Sequence, residues 1–187
     1  MTNIAILSSH NGSGFETLYL ASQDNILDIN ISMVISNNTN AGVLEKAKKY
    51  NIQSYLVNSK TTDNVDDTIY DLLKKSGCEY IFLSGYMKKI PPKITNSFKI
   101  INSHPSLLPK YGGPGMYGRY VHEAVVKNNE RVSGVTVHEV NEKYDDGKII
   151  LQKELLLSDD ETVDSLETKI KALEKIAIVE SFIKCLK

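Results

Sequence analysis

The amino-acid sequence predicts an α/β protein: an open, mainly parallel, twisted sheet with helices on both faces. Short apolar runs, each ended by a polar or glycine-containing turn, alternate along the chain with segments whose apolar residues recur at helical spacing. Strands that alternate with helices are typical of βαβ units on a parallel sheet. The chain has 187 residues with no repeat and no linker-like segment, so we expect a single domain spanning residues 1–187.

The order of the elements follows from these patterns. Strands are predicted at residues 4–7, 29–35, 54–57, 80–83 and 99–102, and two more β-rich stretches at 132–140 and 149–157. Helices are predicted at residues 15–22, 42–50, 65–75, 116–127 and 163–186. The last helix has Leu166, Ile170 and Ala177 on one face, as an amphipathic helix requires. Ser13 and Glu16 have the spacing of a capping box, which predicts that Ser13 caps the first helix.

Composition and charge exclude several classes of protein. Lysine and arginine (22) nearly balance aspartate and glutamate (23), so the formal net charge of −1 gives no reason to expect nucleic acid or a membrane as a partner. No apolar run is long enough to cross a bilayer or to act as a signal peptide. The two cysteines, Cys78 and Cys185, make no disulfide framework, which favours a reducing compartment. We expect a cytoplasmic protein with small-molecule substrates, either a monomer or a homodimer.

The turn after the first predicted strand is a candidate phosphate site. Gly12 and Gly14 permit close approach to the backbone, and a turn that opens a helix points free N–H groups outward. The alternative is a tight polar turn with a helix cap, because two glycines at this spacing are a weak signal. The full G-x-G-x-x-G spacing of dinucleotide-binding proteins is absent, which disfavours a nicotinamide cofactor.

A second candidate site follows the strand predicted at residues 99–102. Asn102 and His104 are two positions apart, so their side chains share one face of an extended chain, and Pro105 favours that conformation. Ligands of open α/β sheets bind beyond the carboxyl ends of the strands. An amide N–H beside an imidazole can stabilise charge on a carbonyl oxygen. The alternative is a turn-forming asparagine next to a surface histidine.

Other polar residues give weaker signals. Asp145 lies in an acidic turn and could orient His104 or accept a proton, although an Asp-Asp-Gly sequence is more often a plain turn. His138 is in phase with the apolar residues of its β-rich stretch, which favours a supporting role, and His122 is predicted to be a surface or capping residue of a helix. Segment 112–118 is rich in glycine and is predicted to be a mobile loop. No histidine or cysteine pair has zinc-ligand spacing, so no metal is expected.

Four motifs occur in a distinctive order along the chain. They are Asn11-Gly12-Ser13-Gly14, Leu83-Ser84-Gly85-Tyr86-Met87-Lys88, Asn102-Ser103-His104-Pro105-Ser106-Leu107-Leu108-Pro109-Lys110 and Asp145-Asp146-Gly147-Lys148-Ile149-Ile150. Together they resemble the folate-dependent formyltransferases, most closely the members that act in purine synthesis. The third motif is the most specific, and the resemblance spans nearly the whole chain. The first loop departs from the usual S-G-x-G-S-N pattern, because His10 replaces a glycine and Gly14 replaces the asparagine.

The resemblance implies a role for each matching residue. Asn102, His104 and Asp145 match the catalytic residues of the family. The substrate ribonucleotide and its phosphate would be bound by Asn11, Gly12, Ser13, Gly14 and Glu174. The folate would be bound by Tyr86, Met87, Lys88, Lys89, Ile90, Asn102, Val140, Asn141, Tyr144 and Asp145. The resemblance also implies a Rossmann-like formyltransferase fold, with a phosphate-binding half at residues 1–100 and a catalytic, folate-binding half at residues 101–187.

The implied reaction is transfer of a formyl group from the co-substrate 10-formyltetrahydrofolate to the amine of glycinamide ribonucleotide, a step of de novo purine synthesis. Asn102 and a protonated His104 would stabilise the charge on the formyl oxygen, and Asp145 would favour the imidazolium and help to move the amine proton. Two alternatives stay open: a sugar-nucleotide N-formyltransferase, and a non-catalytic homologue that binds folate or a nucleotide. The presence of all three catalytic residues argues against the second.

Overall fold

The computed structural model describes all 187 residues, which form seven strands and six helices. The strands are β1 (Thr2–Leu7), β2 (Ile29–Ser36), β3 (Ser54–Leu56), β4 (Tyr80–Leu83), β5 (Lys99–His104), β6 (Val132–Glu139) and β7 (Ile149–Leu156). The helices are α1 (Ser13–Gln23), α2 (Gly42–Lys49), α3 (Val65–Ser76), α4 (Pro92–Thr95), α5 (Arg119–Lys127) and α6 (Val163–Cys185). The strands make one sheet in the order β3-β2-β1-β4-β5-β6-β7. The predicted α/β class with a mainly parallel sheet is confirmed.

The chain forms two compact units, Met1–Ile101 and Asn102–Lys187. In the first unit, β1 pairs in parallel with β2 and β4, and β2 pairs in parallel with β3. Ile4, Ala5, Ile6 and Leu7 are all fully buried. Because successive side chains of a strand point to opposite faces, this run is covered on both faces, as strands of parallel sheets are.

The second unit contains an antiparallel pair and the longest helix. β6 and β7 pair antiparallel, and α6 packs against both strands and against α5. Thr162 caps α6 with a capping box, in which its hydroxyl accepts from the Ser165 N–H and the Ser165 hydroxyl accepts from the Thr162 N–H. The helix buries Leu166 and Phe182, which anchor its two ends in the core. None of the helices is both long and apolar enough to span a bilayer.

The structure corrects four details of the predicted elements. The short helix α4 was not predicted, and α5 begins at Arg119 instead of residue 116 because the glycine-rich segment continues to Gly118, whose φ is +52°. Gly12, and not Ser13, is the N-cap of α1, and no side chain caps this helix. His122 is buried, with 3% of its surface exposed, and not on the surface.

Candidate active site

His104 lies at the carboxyl end of β5, where only 4% of its surface is exposed. Its Nε2 atom is 2.7 Å from the backbone carbonyl oxygen of Tyr111. Because a carbonyl oxygen can only accept, Nε2 carries a proton and donates a hydrogen bond to the Tyr111 carbonyl oxygen. The other ring nitrogen, Nδ1, faces the carboxylate of Asp145, whose Oδ1 is 3.6 Å away. The ring is therefore held in one tautomer, and Nδ1 is the atom that can gain and lose a proton.

Asn102 contacts a second buried histidine. Its Nδ2 atom is 3.2 Å from Nε2 of His138, and Nδ1 of His138 is 2.8 Å from the backbone carbonyl oxygen of Glu139. Nδ1 of His138 donates a hydrogen bond to the Glu139 carbonyl oxygen, which leaves Nε2 to accept a hydrogen bond from the Asn102 amide. This bond orients the amide of Asn102 and leaves its second N–H for a ligand.

Asp145 lies in the turn between β6 and β7 and has a left-handed φ of +54°. Its Oδ2 accepts a hydrogen bond of 2.9 Å from the Gly113 N–H. Its Oδ1 is 3.6 Å from both His104 Nδ1 and His138 Nε2. The structure thus brings the three predicted catalytic side chains together, with His138 as the link between Asn102 and Asp145.

The buried position of this cluster sets its protonation state. Burial lowers the pKa of His104 below its ordinary value of 6.5, although the Asp145 carboxylate and the Tyr111 carbonyl act in the opposite direction. Burial acts to raise the pKa of Asp145, but the neighbouring rings of His138 and His104 and the Gly113 N–H outweigh it, so the pKa lies below its ordinary value of 3.8. Both shifts favour a neutral His104 and an ionised Asp145 near pH 7 in the absence of substrate.

Two residues that contact this cluster were not predicted. Tyr111 and Gly113 act through backbone atoms, which every residue type has, so their identity gave no signal. Gly112, at the start of the segment predicted to be a mobile loop, packs closely on the site. A Cβ atom built on Gly112 would lie 2.5 Å from Leu108 Cδ2 and 3.2 Å from Asp145 Cβ. The pair of glycines was the signal that could have indicated this close packing.

The remaining predicted residues of the second unit lie in two places. Val140, Asn141 and Tyr144 share the β6–β7 turn with Asp145, and Tyr144 is 51% exposed. Glu174 lies on α6, where its Oε1 accepts a hydrogen bond of 2.6 Å from the Ser103 hydroxyl, and burial raises the pKa of its carboxyl group. Its contact with a ribose stays a prediction and would use the second carboxylate oxygen.

In the first unit, segment Asn11–Gly14 joins β1 to the amino end of α1. The N–H of Phe15 donates to the Ser84 hydroxyl over 3.1 Å. The N–H groups of Ser13 and Gly14 have no partner in the protein, and they lie at the positive end of the helix dipole. These two groups are therefore available to an anion, although binding of a phosphate here stays a prediction.

Packing within the protein requires a glycine at position 12, whether or not a ligand binds to this loop. Its φ is +60°, and a Cβ atom would lie 2.5 Å from Val43 Cγ2. We expect Gly12→Ala to lower the free energy of unfolding by about 2–4 kcal/mol, from left-handed strain and overpacking together. Urea denaturation measures this loss. Gly77→Ala is the matched control, because Gly77 has a φ of +63° and nothing within 4 Å of the added atom. Equal losses in the two variants would contradict a role for Val43.

A cavity of about 770 Å³ opens in the first unit, and the predicted folate segment Tyr86–Ile90 lines it. Ser9 and His10 of the first loop contribute to the same wall. Burial raises the pKa of Tyr86 to about 12, so its hydroxyl group stays protonated. Lys60 lines the cavity together with the two lysines of the folate segment, Lys88 and Lys89. A cavity with both lysines and apolar side chains suits an organic ligand that has an anionic end.

Known proteins of similar sequence share nearly the full length of this chain. The sequence pattern of the family described as Formyl transferase matches residues 2–182. A phosphoribosylglycinamide formyltransferase of Haemophilus influenzae is 36% identical over 93% of this chain and 82% of its own. A chloroplastic phosphoribosylglycinamide formyltransferase of Arabidopsis thaliana is 33% identical over 95% of this chain. The chain spans 63% of the length of that plant relative.

The fold is also similar to that of solved structures. A crystal structure of phosphoribosylglycinamide formyltransferase from Bacillus halodurans superposes with a TM-score of 0.90 at 28% identity, over 100% of this chain and 96% of that one. The match of the family pattern and the identity to the Haemophilus protein each extend over the great majority of the residues. The chain therefore belongs to the formyl transferase family.

Proposed function

We propose that the protein transfers a formyl group from 10-formyltetrahydrofolate to the amine of glycinamide ribonucleotide, a step of de novo purine (IMP) synthesis. The observation that carries the proposal is the cluster of Asn102, His104 and Asp145 around His138 in a chain of this family. The names of the Haemophilus, Arabidopsis and Bacillus proteins support the choice of glycinamide ribonucleotide as the acceptor.

The residues of the cluster have complementary parts in this reaction. The folate supplies the formyl group. The second N–H of the Asn102 amide donates to the formyl oxygen as negative charge develops there. Nδ1 of the neutral His104 takes the proton that the amine loses when it attacks the formyl carbon, and the Asp145 carboxylate stabilises the resulting imidazolium. His104 then returns this proton to the folate nitrogen as the bond from that nitrogen to the formyl carbon breaks, so the site ends as it began.

Binding of the two substrates would use the other predicted residues. The N–H groups of the Asn11–Gly14 segment would hold the phosphate, and Glu174 would contact the ribose. The residues predicted to bind the folate are Tyr86–Ile90 in the first unit, and Asn102, Val140, Asn141, Tyr144 and Asp145 in the second. We further propose a cytoplasmic location, which the free thiols of the two cysteines support, and a monomer or homodimer as the active form.

A comparison of acceptors tests the proposal. The protein is incubated with 10-formyltetrahydrofolate and either glycinamide ribonucleotide or an amino-sugar nucleotide, and the release of tetrahydrofolate is followed. We expect turnover with glycinamide ribonucleotide and a preference for it of at least about 100-fold, because the wrong amine leaves buried polar groups unpaired. Turnover with the amino-sugar nucleotide alone would identify a sugar-nucleotide N-formyltransferase. Tight binding in a calorimetric titration with no turnover would identify a non-catalytic homologue.

A further inference from the structure

The segment from Tyr111 to Gly113 contacts both ionisable residues of the catalytic cluster through its backbone. The Tyr111 carbonyl oxygen accepts from His104 Nε2 over 2.7 Å, and the Gly113 N–H donates to Asp145 Oδ2 over 2.9 Å. One short stretch of chain thus supplies a hydrogen-bond acceptor to His104 and a hydrogen-bond donor to the Asp145 carboxylate. Neither contact depends on a side chain of the segment, so what matters is where its backbone is held.

The phenol of Tyr111 holds this backbone to the end of α5. Its hydroxyl lies 2.8 Å from Glu130 Oε1 and accepts from Asn128 Nδ2 over 2.9 Å. Lys110 Nζ lies 3.0 Å from the same carboxylate oxygen of Glu130. Tyr111 has a φ of +55°, a left-handed conformation that a residue with a side chain adopts only when its surroundings enforce it. The two hydrogen bonds of the hydroxyl group hold the side chain of this residue in place.

Gly112 allows the chain to pass between the two anchored residues. An added Cβ atom would lie 2.5 Å from Leu108 Cδ2 and 3.2 Å from Asp145 Cβ. A side chain here would displace the tip of Leu108 and press on the Cβ atom of Asp145 by a few tenths of an ångström. The absence of a side chain at Gly112 thus lets the segment lie close to Asp145.

We propose that Tyr111, Gly112 and Gly113 form a positioning segment that sets the tautomer of His104 and the orientation of Asp145, with the Tyr111 hydroxyl group as its anchor. The effect of the segment on the reaction rate rests on the proposed function. Its effect on His104 itself does not, because the ring is held in the protein without any substrate.

The positioning segment also affects the basicity of His104. Asp145 faces the ring from the β6–β7 turn, His138 from β6 and His122 from α5, and burial lowers the pKa while the hydrogen bond to Tyr111 raises it. A displaced carbonyl would therefore lower the pKa of His104 further. Because the proposed reaction needs a neutral His104, the acid limb of the rate profile would move to lower pH while the plateau rate fell.

Tyr111→Phe tests the proposal, since it removes the hydroxyl group and keeps the ring and the backbone. We expect kcat to fall about tenfold, because the catalytic groups become misaligned. Both KM values should stay within about twofold of the wild type, because substrate binding is not affected. We expect the acid limb to move down by about half a pH unit. Nitrogen NMR of the ligand-free protein should show a smaller share of the Nε2–H tautomer of His104. Gly112→Ala should give a larger loss of the same kind.

Tyr50→Phe is the matched control, because it removes a 2.7 Å hydrogen bond between a tyrosine hydroxyl and Glu16 in the other unit. It should leave kcat, the acid limb and the tautomer of His104 unchanged. A Tyr111→Phe protein that keeps the wild-type tautomer and pKa of His104 would overturn the proposal, as would a loss of activity without a shifted acid limb. Absence of formyl transfer in the wild type would overturn the proposed function alone, because the NMR measurement would still decide on the positioning segment.

Discussion

His104→Ala and Asp145→Asn are each expected to lower kcat for formyl transfer by about 10²- to 10³-fold. The histidine variant removes the ring whose Nδ1 faces the carboxylate of Asp145, at 3.6 Å. The aspartate variant keeps the size of the side chain and an oxygen that can accept from the Gly113 N–H, so it removes the charge while preserving the turn. Both losses therefore report on the proton transfer. Steady-state assays of tetrahydrofolate release measure them.

Binding of the ribonucleotide should survive in both variants, because its predicted phosphate site uses N–H groups at the start of α1. Calorimetric titration with glycinamide ribonucleotide provides this control. A variant that has lost both binding and activity would indicate a misfolded site. Near-normal turnover in either variant would contradict the proposed mechanism, in which His104 takes the amine proton and the Asp145 carboxylate stabilises the imidazolium.

The pH dependence of the wild-type protein follows from the same two groups. The pKa of His104 lies below 6.5 and that of Asp145 below 3.8, so a neutral imidazole and a carboxylate coexist near pH 7. As the pH falls through the pKa of His104 the base becomes protonated, and kcat falls with it. A rate that instead rose as the pH fell below 6.5 would show that protonated His104 is the active form, as the sequence alone had suggested.

The fold could be predicted from the sequence because its signals are local and periodic. The buried strand β1 is a continuous apolar run, and α6 repeats its apolar residues at helical spacing. The pattern of each segment therefore indicates whether it forms a strand or a helix. The helix α4 was missed because its four residues, beginning at Pro92, are too few to show a period. The Ser13–Glu16 spacing wrongly predicted a capping box, because the Glu16 carboxylate accepts hydrogen bonds from Lys46 and Tyr50 instead. These two residues are distant from Glu16 in sequence.

The candidate site was only partly predictable for a related reason. Residue type and motif order identified Asn102, His104 and Asp145, whose chemistry lies in their side chains. The sequence carries no comparable signal for a carbonyl at Tyr111 or an N–H at Gly113, because both are common to all residues. Burial is likewise a property of the whole fold, and burial is what lowers the pKa of His104. The backbone contacts of the site and the direction of the His104 pKa shift therefore could not be predicted from the sequence alone.

Gly147→Ala is expected to cost both stability and activity, through a contact that lies outside the catalytic cluster. A Cβ atom on Gly147 would lie 1.7 Å from the carbonyl oxygen of Glu139 and 2.6 Å from its carbonyl carbon. These are backbone atoms at the end of β6, next to the 2.9 Å hydrogen bond from the Glu139 N–H to the Lys148 carbonyl that closes the turn. The turn must open to admit the methyl group, and Asp145 moves with it.

We expect Gly147→Ala to lower kcat by about 100-fold, since a shift of about 1 Å in a reacting group has that effect. The free energy of unfolding should fall by about 3 kcal/mol, as for severe overpacking. Asp146→Ala is the matched control in the same turn, because its only ion pair, with Lys143 at 3.9 Å, is exposed and adds little. It should retain stability and turnover. Wild-type activity in Gly147→Ala would show that Asp145 keeps its place without the closed turn, and the turn would then have no part in positioning the carboxylate.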